Sequence, residues 1–240
     1  MQTNFFKMLA LAMLAVVFHS CTQTDDDMPT QEEVAWTQVT DLQIPDEVAN
    51  IVGFSWEKLF LYSLEEGRPI PTKGEFYTEN WDIGFQEGKL VHVNNVPNTI
   101  TTIEGAAPMV GKVLGVLLIA NFDEVVLAPD PSENIYNKMM SPQGVADTTR
   151  QFYGWNGNLG NVGYLEMYPH TGGKYRLLPQ RTFVFRTNKG NYAKLEMQGI
   201  YKGHPAVPTR ESEPNYLTFR YFVQKDGSRN LDTSKRTSSK

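Results

Sequence analysis

The sequence has very little cysteine: Cys21 is the only one among 240 residues. One cysteine cannot form an internal disulfide, which excludes the small disulfide-stapled class of secreted domains. Histidine is also scarce, and the spacing of His19, His92, His170 and His204 matches no metal-binding motif. The sequence further lacks glycine-rich phosphate-binding loops, metalloprotease motifs and the nucleophile motif of α/β-hydrolases. With no motif that favours catalysis, we predict that the protein is not an enzyme.

An excess of basic residues is missing as well. Lys and Arg total 22 against 27 Asp and Glu, so the formal net charge is −5. Proteins that hold nucleic acid need a basic surface, so we expect no nucleic-acid partner. Apolar residues make up 40% and aromatic residues 12% of the chain, which is too much for a disordered protein. The length suits one large β domain or two small ones.

The one long apolar run near the start, residues 8–18, follows Lys7 and is shorter than the ~20 residues that span a bilayer. A basic start, a short apolar stretch and small residues are typical of a secretory signal. We predict a lipoprotein signal peptide at residues 1–20, cleaved before Cys21, whose thiol and amine are then lipidated. The alternative is a free thiol in a discarded leader. The lipoprotein prediction ties the protein to the membrane through its lipid anchor only.

Composition divides the remaining chain into three parts. Residues 21–36 are polar, acidic and without periodicity, which predicts a lipidated tether. Residues 37–231 carry dense strand signals and are predicted to form the folded domain. Residues 232–240 are predicted to be a polar tail.

Short strands separated by Gly and Asn turns predict a single all-β domain of many short antiparallel strands. The clearest pair, residues 182–187 and 192–197, flanks a loop with Gly190 and predicts a hairpin. Residues 112–120 predict either a buried strand or a short helix. The best helical stretch is residues 131–140, where Ser132 and Glu133 are expected to open a short helix.

A set of short motifs stands in an order that resembles a known family. They are Trp-Asp-Ile-Gly-Phe at 81–85, Arg-Thr-Asn-Lys-Gly-Asn-Tyr-Ala-Lys-Leu at 186–195, Tyr201, Tyr-Leu-Thr-Phe-Arg-Tyr at 216–221 and Asp-Gly-Ser at 226–228. Over roughly residues 39–231 the chain is similar to the HmuY family of haem-binding surface lipoproteins. The resemblance implies a hand-shaped all-β fold and a hemophore that takes haem from host haemoproteins. It also implies transfer to a TonB-dependent outer-membrane haem receptor, and an outer-membrane, lipid-anchored location, surface-exposed or released.

Within the family, the haem iron takes its axial ligands from two segments, usually one histidine from each. In this sequence the first segment, residues 121–150, has no histidine but contains Met139 and Met140. The second contains Met167, with His170 three residues later. The resemblance therefore implies iron protoporphyrin IX held by Met140 and Met167. A thioether is a soft ligand that favours ferrous iron. The further candidates for haem contact are Met139, His170 and Tyr168.

Three alternatives stay open at these positions. A methionine beside Leu165 on a strand is more often a core residue than a ligand. Met139 could replace Met140 after a small loop shift. His170 competes with Met167 for the second side of the iron.

Aromatic and basic residues of the same segments are candidates for the rest of a haem site. Aromatic rings would cover the porphyrin faces, and cations would pair with the propionates. The aromatic candidates are Tyr136, Tyr153, Trp155, Tyr164 and Tyr168, and the basic ones are Lys138, Lys174 and Arg150.

The alternative function is that of a glycan-binding or adhesive β-sandwich lipoprotein. Its tryptophans would stack on sugars; they are Trp36, Trp56, Trp81 and Trp155.

Other conspicuous polar residues have a plain structural interpretation. Lys194 and Arg186 are expected on exposed strand faces. Asp123 and Glu124 are adjacent, and on a strand they would point to opposite faces. We therefore expect no shared acid–base site there.

Overall fold

The computed structural model of the chain describes residues 34–49, 59–86, 88, 90–95, 110–133, 135–136, 139–141, 144–146, 152–153, 163–167, 173–234 and 237–239. The chain separates into two units, Met1–Gln31 and Glu32–Lys240, and every described residue belongs to the second. None of the helices among these residues has the length and apolar character needed to cross a membrane.

Short strands dominate the described residues. They are β1 (Val34–Gln43), β2 (Phe60–Ser63), β3 (Arg68–Ile70), β4 (Ile83–Gln86), β5 (Leu90–Val93), β6 (Leu114–Leu118), β7 (Met139–Ser141), β8 (Gly144–Ala146), β9 (Phe152–Tyr153), β10 (Leu165–Met167), β11 (Tyr175–Leu177), β12 (Thr182–Arg186), β13 (Tyr192–Tyr201), β14 (Pro214–Gln224) and β15 (Thr237–Ser239). The helices of this part of the chain are single turns: α1 (Asp46–Ala49), α2 (Thr72–Glu75) and the 3-10 turns Phe122–Glu124 and Pro131–Glu133.

The strands form three sheets. The large sheet has eight strands in the order β15-β1-β14-β13-β12-β6-β7-β8, and a second sheet has five in the order β3-β2-β4-β5-β9. Strands β10 and β11 form a two-stranded sheet of their own. Pairing is antiparallel apart from the parallel pairs β1–β15 and β6–β7. The prediction of an all-β fold of short, mainly antiparallel strands is confirmed.

The hairpin β12–β13 forms as the sequence predicts. Its strands pair from Phe183 opposite Leu195 to Arg186 opposite Tyr192. Gly190 takes a φ of +84°, a left-handed conformation that glycine adopts without steric cost and that such loops require.

The main core lies on one face of the large sheet. Alternate residues of β12 and β13, such as Phe183, Phe185 and Leu195, pack in one cluster with Phe85 of β4. The two larger sheets are in close contact at Gly115 of β6, where a Cβ atom would lie 2.7 Å from a methyl carbon of Val93 of β5. No side chain larger than hydrogen fits there without a shift of its neighbours.

The opposite face of the large sheet is buried too, and this overturns one prediction. Val184, Tyr192 and Phe222 on that face pack beneath Phe122, Leu231 and the chain around them. Lys194 points to this face and is 0% exposed, so it does not lie on an exposed strand face. Arg186, at the end of β12, is exposed as expected.

The Lys194 ammonium is bonded by the segments that cover it. Its Nζ donates to the carbonyl oxygens of Phe122 at 2.8 Å and Val125 at 3.1 Å. It also donates to the Thr233 hydroxyl at 3.1 Å and lies 4.3 Å from the centre of the Phe122 ring. A single lysine thus joins β13 to the 3-10 turn at Phe122–Glu124 and to the chain near the C-terminus.

The predicted helix at 131–140 is wrong beyond its first turn. Pro131–Glu133 forms a 3-10 turn that begins where the Asp130 carboxylate accepts the Ser132 N–H at 2.9 Å. Met139 and Met140 lie in strand β7 instead, because pairing with β6 and β8 uses their backbone. Residues 114–118 of the ambiguous stretch 112–120 form strand β6.

The large sheet also extends past the residues assigned to the domain. Strand β1 begins at Val34, within the predicted tether, and β15 at Thr237–Ser239 lies within the predicted tail. The two strands pair in parallel. The predicted cleavage and lipidation site at Cys21 lies outside the described residues.

Candidate functional site

The two methionine positions lie in different sheets. Met139 and Met140 belong to β7, next to the edge of the large sheet, and Met167 belongs to β10 of the two-stranded sheet. The backbone of these residues is described and their side chains are not. Tyr168 and His170 lie outside the described residues.

The β10–β11 hairpin positions Met167. Leu165, two residues earlier on the same strand, is 1% exposed and belongs to the main core. Glu166 faces the other way and its carboxylate pairs with Arg176 of β11. Met167 is the register partner of Tyr175.

A backbone hydrogen bond joins the hairpin to a neighbouring strand. The backbone N–H of Tyr175 donates to the hydroxyl oxygen of Tyr201 on β13 at 2.8 Å. Within the hairpin, the N–H of Leu178 donates to the carbonyl of Tyr164 at 2.8 Å and extends the pairing of its two arms. Neither Tyr175 nor Tyr201 was predicted as a site residue. The apolar–polar–apolar order of Tyr175, Arg176 and Leu177 was the available signal for a strand there.

Two of the aromatic residues expected to cover a porphyrin belong to the core instead. Tyr164 is 1% exposed, and its ring packs edge-on against Phe183 at 5.3 Å between centroids. Tyr136 is buried in the cluster that covers the opposite face of the large sheet, with Phe122 and Leu231, and its hydroxyl donates to the carbonyl of Pro129 at 2.9 Å. Lys174 donates to the carbonyl of Ser212 at 2.7 Å. These candidates were chosen by residue type and by segment. Neither criterion predicts which side chains are buried in the core or hydrogen-bonded to the backbone.

The described tryptophans do not form a sugar-stacking surface. Trp81 is 0% exposed, lies 5.9 Å from the Phe76 ring in a stacked arrangement, and donates its indole N–H to the Phe76 carbonyl at 2.9 Å. Trp36 is half-buried, with the Arg220 guanidinium 5.5 Å from its ring centre. Trp56 and Trp155 lie outside the described residues.

Two histidines are described, and neither belongs to the predicted ligand segments. His92 of β5 is 1% exposed, its Nε2 lies 3.1 Å from the Gln86 side-chain oxygen, and burial lowers its pKa to about 3. His204 is exposed, in the turn after β13. Within the described part of the chain, no three residues among His, Cys, Asp and Glu are grouped as metal ligands would be.

We expected no shared acid–base site at Asp123 and Glu124 because adjacent residues of a strand point to opposite faces. The two residues do not lie on a strand, so that reason was wrong. They belong to a 3-10 turn. Asp123 lies 3.3 Å from the Arg220 guanidinium, and Glu124 accepts the backbone N–H of Asn121 at 3.0 Å. Each carboxylate has its own structural partner, so the pair has no common acid–base geometry.

A cavity of about 690 Å³ lies between α1 and the chain from β3 to Tyr77. It adjoins β3, at the opposite end of the five-stranded sheet from β9. A second cavity of about 160 Å³ lies against β11 and is lined by Tyr175, Tyr201 and His204. That volume is below the ~300–1,000 Å³ typical of small-molecule sites.

Asp82, beside Trp81, is the centre of a buried polar network. Its carboxylate accepts the backbone N–H groups of Leu64 at 2.9 Å, Glu65 at 3.4 Å and Asn188 at 3.3 Å. The Glu65 carboxylate in turn accepts the Thr187 hydroxyl at 2.6 Å. The network joins the turn after β2 to the loop of the β12–β13 hairpin.

Burial raises the pKa of the Asp82 carboxyl from 3.8 to about 6, against the opposing effect of its N–H donors. The folded-state pKa is therefore above the ordinary value. The stability that Asp82 contributes is fully present below pH 3.8 and is lost as the pH rises through about 6. A difference of this size corresponds to about 3 kcal/mol.

Asp82→Asn should remove this pH dependence. Relative to the variant, the wild type should gain up to ~3 kcal/mol of unfolding free energy between about pH 7 and about pH 4. Urea unfolding of both proteins at the two pH values measures the difference. His92, whose lowered pKa destabilises the fold as the pH falls, is present in both proteins and cancels. Parallel pH profiles for the two proteins would contradict the raised pKa of Asp82.

Comparison with known proteins places these residues in a family. The sequence model of the HmuY protein family matches residues 55–221. The chain belongs to the HmuY family. The matched range includes the motif at 81–85, the β12–β13 hairpin and both predicted ligand segments, and it ends at Tyr221, before the Asp-Gly-Ser turn.

Three solved structures are similar to this chain. The apo HmuY analogue of Tannerella forsythia is 15% identical, with 72% of this chain and 93% of that chain covered and a TM-score of 0.39. An HmuY-like haem-binding protein from Bacteroides vulgatus ATCC 8482 is 11% identical, with 76% and 96% covered and a TM-score of 0.37. Apo PinO from Porphyromonas gingivitis is 16% identical, with 70% and 80% covered and a TM-score of 0.27. These TM-scores are low, so membership of the HmuY family rests on the sequence match. No curated protein matches the chain.

Proposed function

We propose that this HmuY-family chain is a haem-binding surface lipoprotein, a hemophore. The observation that carries the proposal is the family match over residues 55–221, which spans most of the predicted domain. The haem comes from host haemoproteins and passes to a TonB-dependent outer-membrane receptor. The protein is anchored in the outer membrane through a lipidated Cys21 and is surface-exposed or released. It carries haem and catalyses no reaction.

We propose that Met140 and Met167 are the axial ligands of iron protoporphyrin IX. The donor set fits the group, because thioether sulfur is an established haem-iron ligand. His92 supports a methionine model, since it is buried in the five-stranded sheet and outside both ligand segments. Met139 is the substitute for Met140, His170 is the rival of Met167, and Tyr168 is a haem contact.

Haem titration of methionine variants tests the ligands. Met140→Leu and Met167→Leu keep most of the side-chain volume and remove the sulfur. Each should weaken haem binding by about 10-fold or more, since even outer-shell partners of metal ligands are worth 10–100-fold. The loss should be larger for ferrous than for ferric haem, because thioethers favour the softer oxidation state. Absorption spectra under reducing and oxidising conditions report both affinity and spin state.

Two control variants make the titration specific. Met197→Leu changes a buried methionine of β13, outside both ligand segments, and should leave the spectrum unchanged. His170→Ala should have little effect. If His170→Ala alone abolishes the low-spin spectrum, histidine is the second ligand and Met167 is not. If no variant alters the spectrum, the methionine model is wrong, and a glycan array then tests the alternative of a sugar-binding lipoprotein.

A further inference from the structure

A hydrogen bond connects the β10–β11 hairpin to a neighbouring strand. Among the residues that the structure describes, the hairpin pairs with neither of the larger sheets, so this bond adds to its core packing in fixing its position. The bond from the Tyr175 N–H to the Tyr201 hydroxyl, 2.8 Å long, joins β11 to the last residue of β13. Strand β13 lies inside the large sheet, between β12 and β14. The Tyr201 hydroxyl therefore connects the hairpin to a strand that the large sheet holds on both sides.

Tyr201 is itself firmly held. Its side chain belongs to the main core and the residue is 5% exposed. The Lys174 ammonium lies 5.4 Å from the centre of the ring and is held by the Ser212 carbonyl. Core packing and the cation over the ring restrict the side-chain rotamers of Tyr201. Its hydroxyl oxygen is therefore held in the orientation in which it accepts the N–H of Tyr175 on β11.

The register of the hairpin connects this bond to the predicted ligand. Tyr175, whose N–H is held by Tyr201, is directly opposite Met167. Directly opposed residues of an antiparallel pair are the closest cross-strand neighbours, with Cβ atoms ~4.5–5.5 Å apart. A displacement of Tyr175 would therefore move Met167 with it.

We propose that Tyr201 is a positioning residue that sets the location of Met167 through the Tyr175 N–H. This inference rests on the proposed haem-binding function and deepens it. A metal ligand needs accurate placement, and here the placement comes from a tyrosine 34 residues away in sequence. Tyr201 does not ligate iron; it fixes the strand that does.

Tyr201→Phe removes the accepting oxygen and keeps the buried ring. The variant should bind haem about 2- to 10-fold more weakly, the range for one lost hydrogen bond. It should also show a smaller low-spin fraction in the ferrous state. Tyr62→Phe is the matched control, because Tyr62 is a buried tyrosine of β2 whose ring packs edge-on against Phe219 and Tyr221 of β14. That variant should lose stability without losing haem affinity.

A double-mutant cycle shows whether Tyr201 acts through Met167. Tyr201→Phe should have no further effect on haem affinity in a Met167→Leu background. An equal loss in both backgrounds would overturn the inference, and so would an unchanged affinity of the single variant. An equal loss of affinity in Tyr62→Phe would also overturn it, by showing a general effect of stability. Failure of the wild type to bind haem would refute the proposed function instead, so the two failures are distinguishable.

Discussion

Replacing Lys194 by alanine is expected to lower the free energy of unfolding by about 3–5 kcal/mol. The ammonium donates to two carbonyl oxygens and one hydroxyl, all under the covered face of the large sheet. A buried acceptor that loses its donor costs about 1–3 kcal/mol. Part of this loss is offset, because the variant no longer buries a charge. Equilibrium urea unfolding of the wild type and the variant measures the net effect.

Lys194→Met is the matched variant, since it keeps the length and apolar body of the side chain and removes only the charge and its bonds. We expect it to be less destabilised than the alanine variant, which also leaves a cavity, and still less stable than the wild type. The chain around Phe122 and Thr233 should become more sensitive to protease in both variants. A Lys194→Met protein as stable as the wild type would show that the buried bonds give no net stability.

Lys194 also shows which part of the fold the sequence could not predict. The alternation along β13 correctly separates Ala193 and Leu195 from Tyr192 and Lys194. What lies over the second face depends on the chain at 122–128 and near Leu231, which are distant in sequence. A lysine on that face looks exposed in a local pattern and is buried by a remote segment.

Local signals were sufficient where a turn decided the structure. The β12–β13 hairpin has strands of the right period and a glycine at the position that needs a positive φ. The stretch 131–140 had no comparable signal, and the strand conformation of Met139 and Met140 at its end comes with the pairing of β7 to β6 and β8. Tertiary pairing therefore overrode a weak helical preference.

For the candidate site, the sequence predicts which residue types serve as ligands and which two segments supply them, and no more than that. Family motifs and the missing histidine indicate Met140 and Met167, and both remain predictions. The support around them could not be predicted, because Tyr175 and Tyr201 come together through a hydrogen bond between strands of different sheets. Such contacts join residues far apart in sequence, and no local pattern encodes them.

The second large effect is expected at Trp81, the first residue of the motif at 81–85. Trp81→Ala should lower the free energy of unfolding by about 3–5 kcal/mol, the cost of removing a large buried ring. The ring is 0% exposed and packs with Leu59, Leu61 and Ile70 behind the five-stranded sheet. A tryptophan that stacked on sugars would be accessible, and its loss would leave stability nearly unchanged.

Trp81→Phe separates the two contributions of this side chain. Phenylalanine keeps part of the packing and leaves the Phe76 carbonyl without the indole N–H that it accepts at 2.9 Å. It should cost less than alanine, because a smaller cavity remains, and more than the ~1 kcal/mol of a typical single hydrogen bond. Thermal or urea unfolding of the two variants gives this order.

A Trp81→Ala protein within about 1 kcal/mol of the wild type would contradict the role of Trp81 as a core residue. Asp82 follows Trp81 directly, and its carboxylate accepts N–H groups of the turn after β2. Repacking of the cavity left by the Trp81 ring should therefore also disturb the buried carboxylate. The pH dependence assigned to Asp82 should therefore weaken in Trp81→Ala and persist in Trp81→Phe.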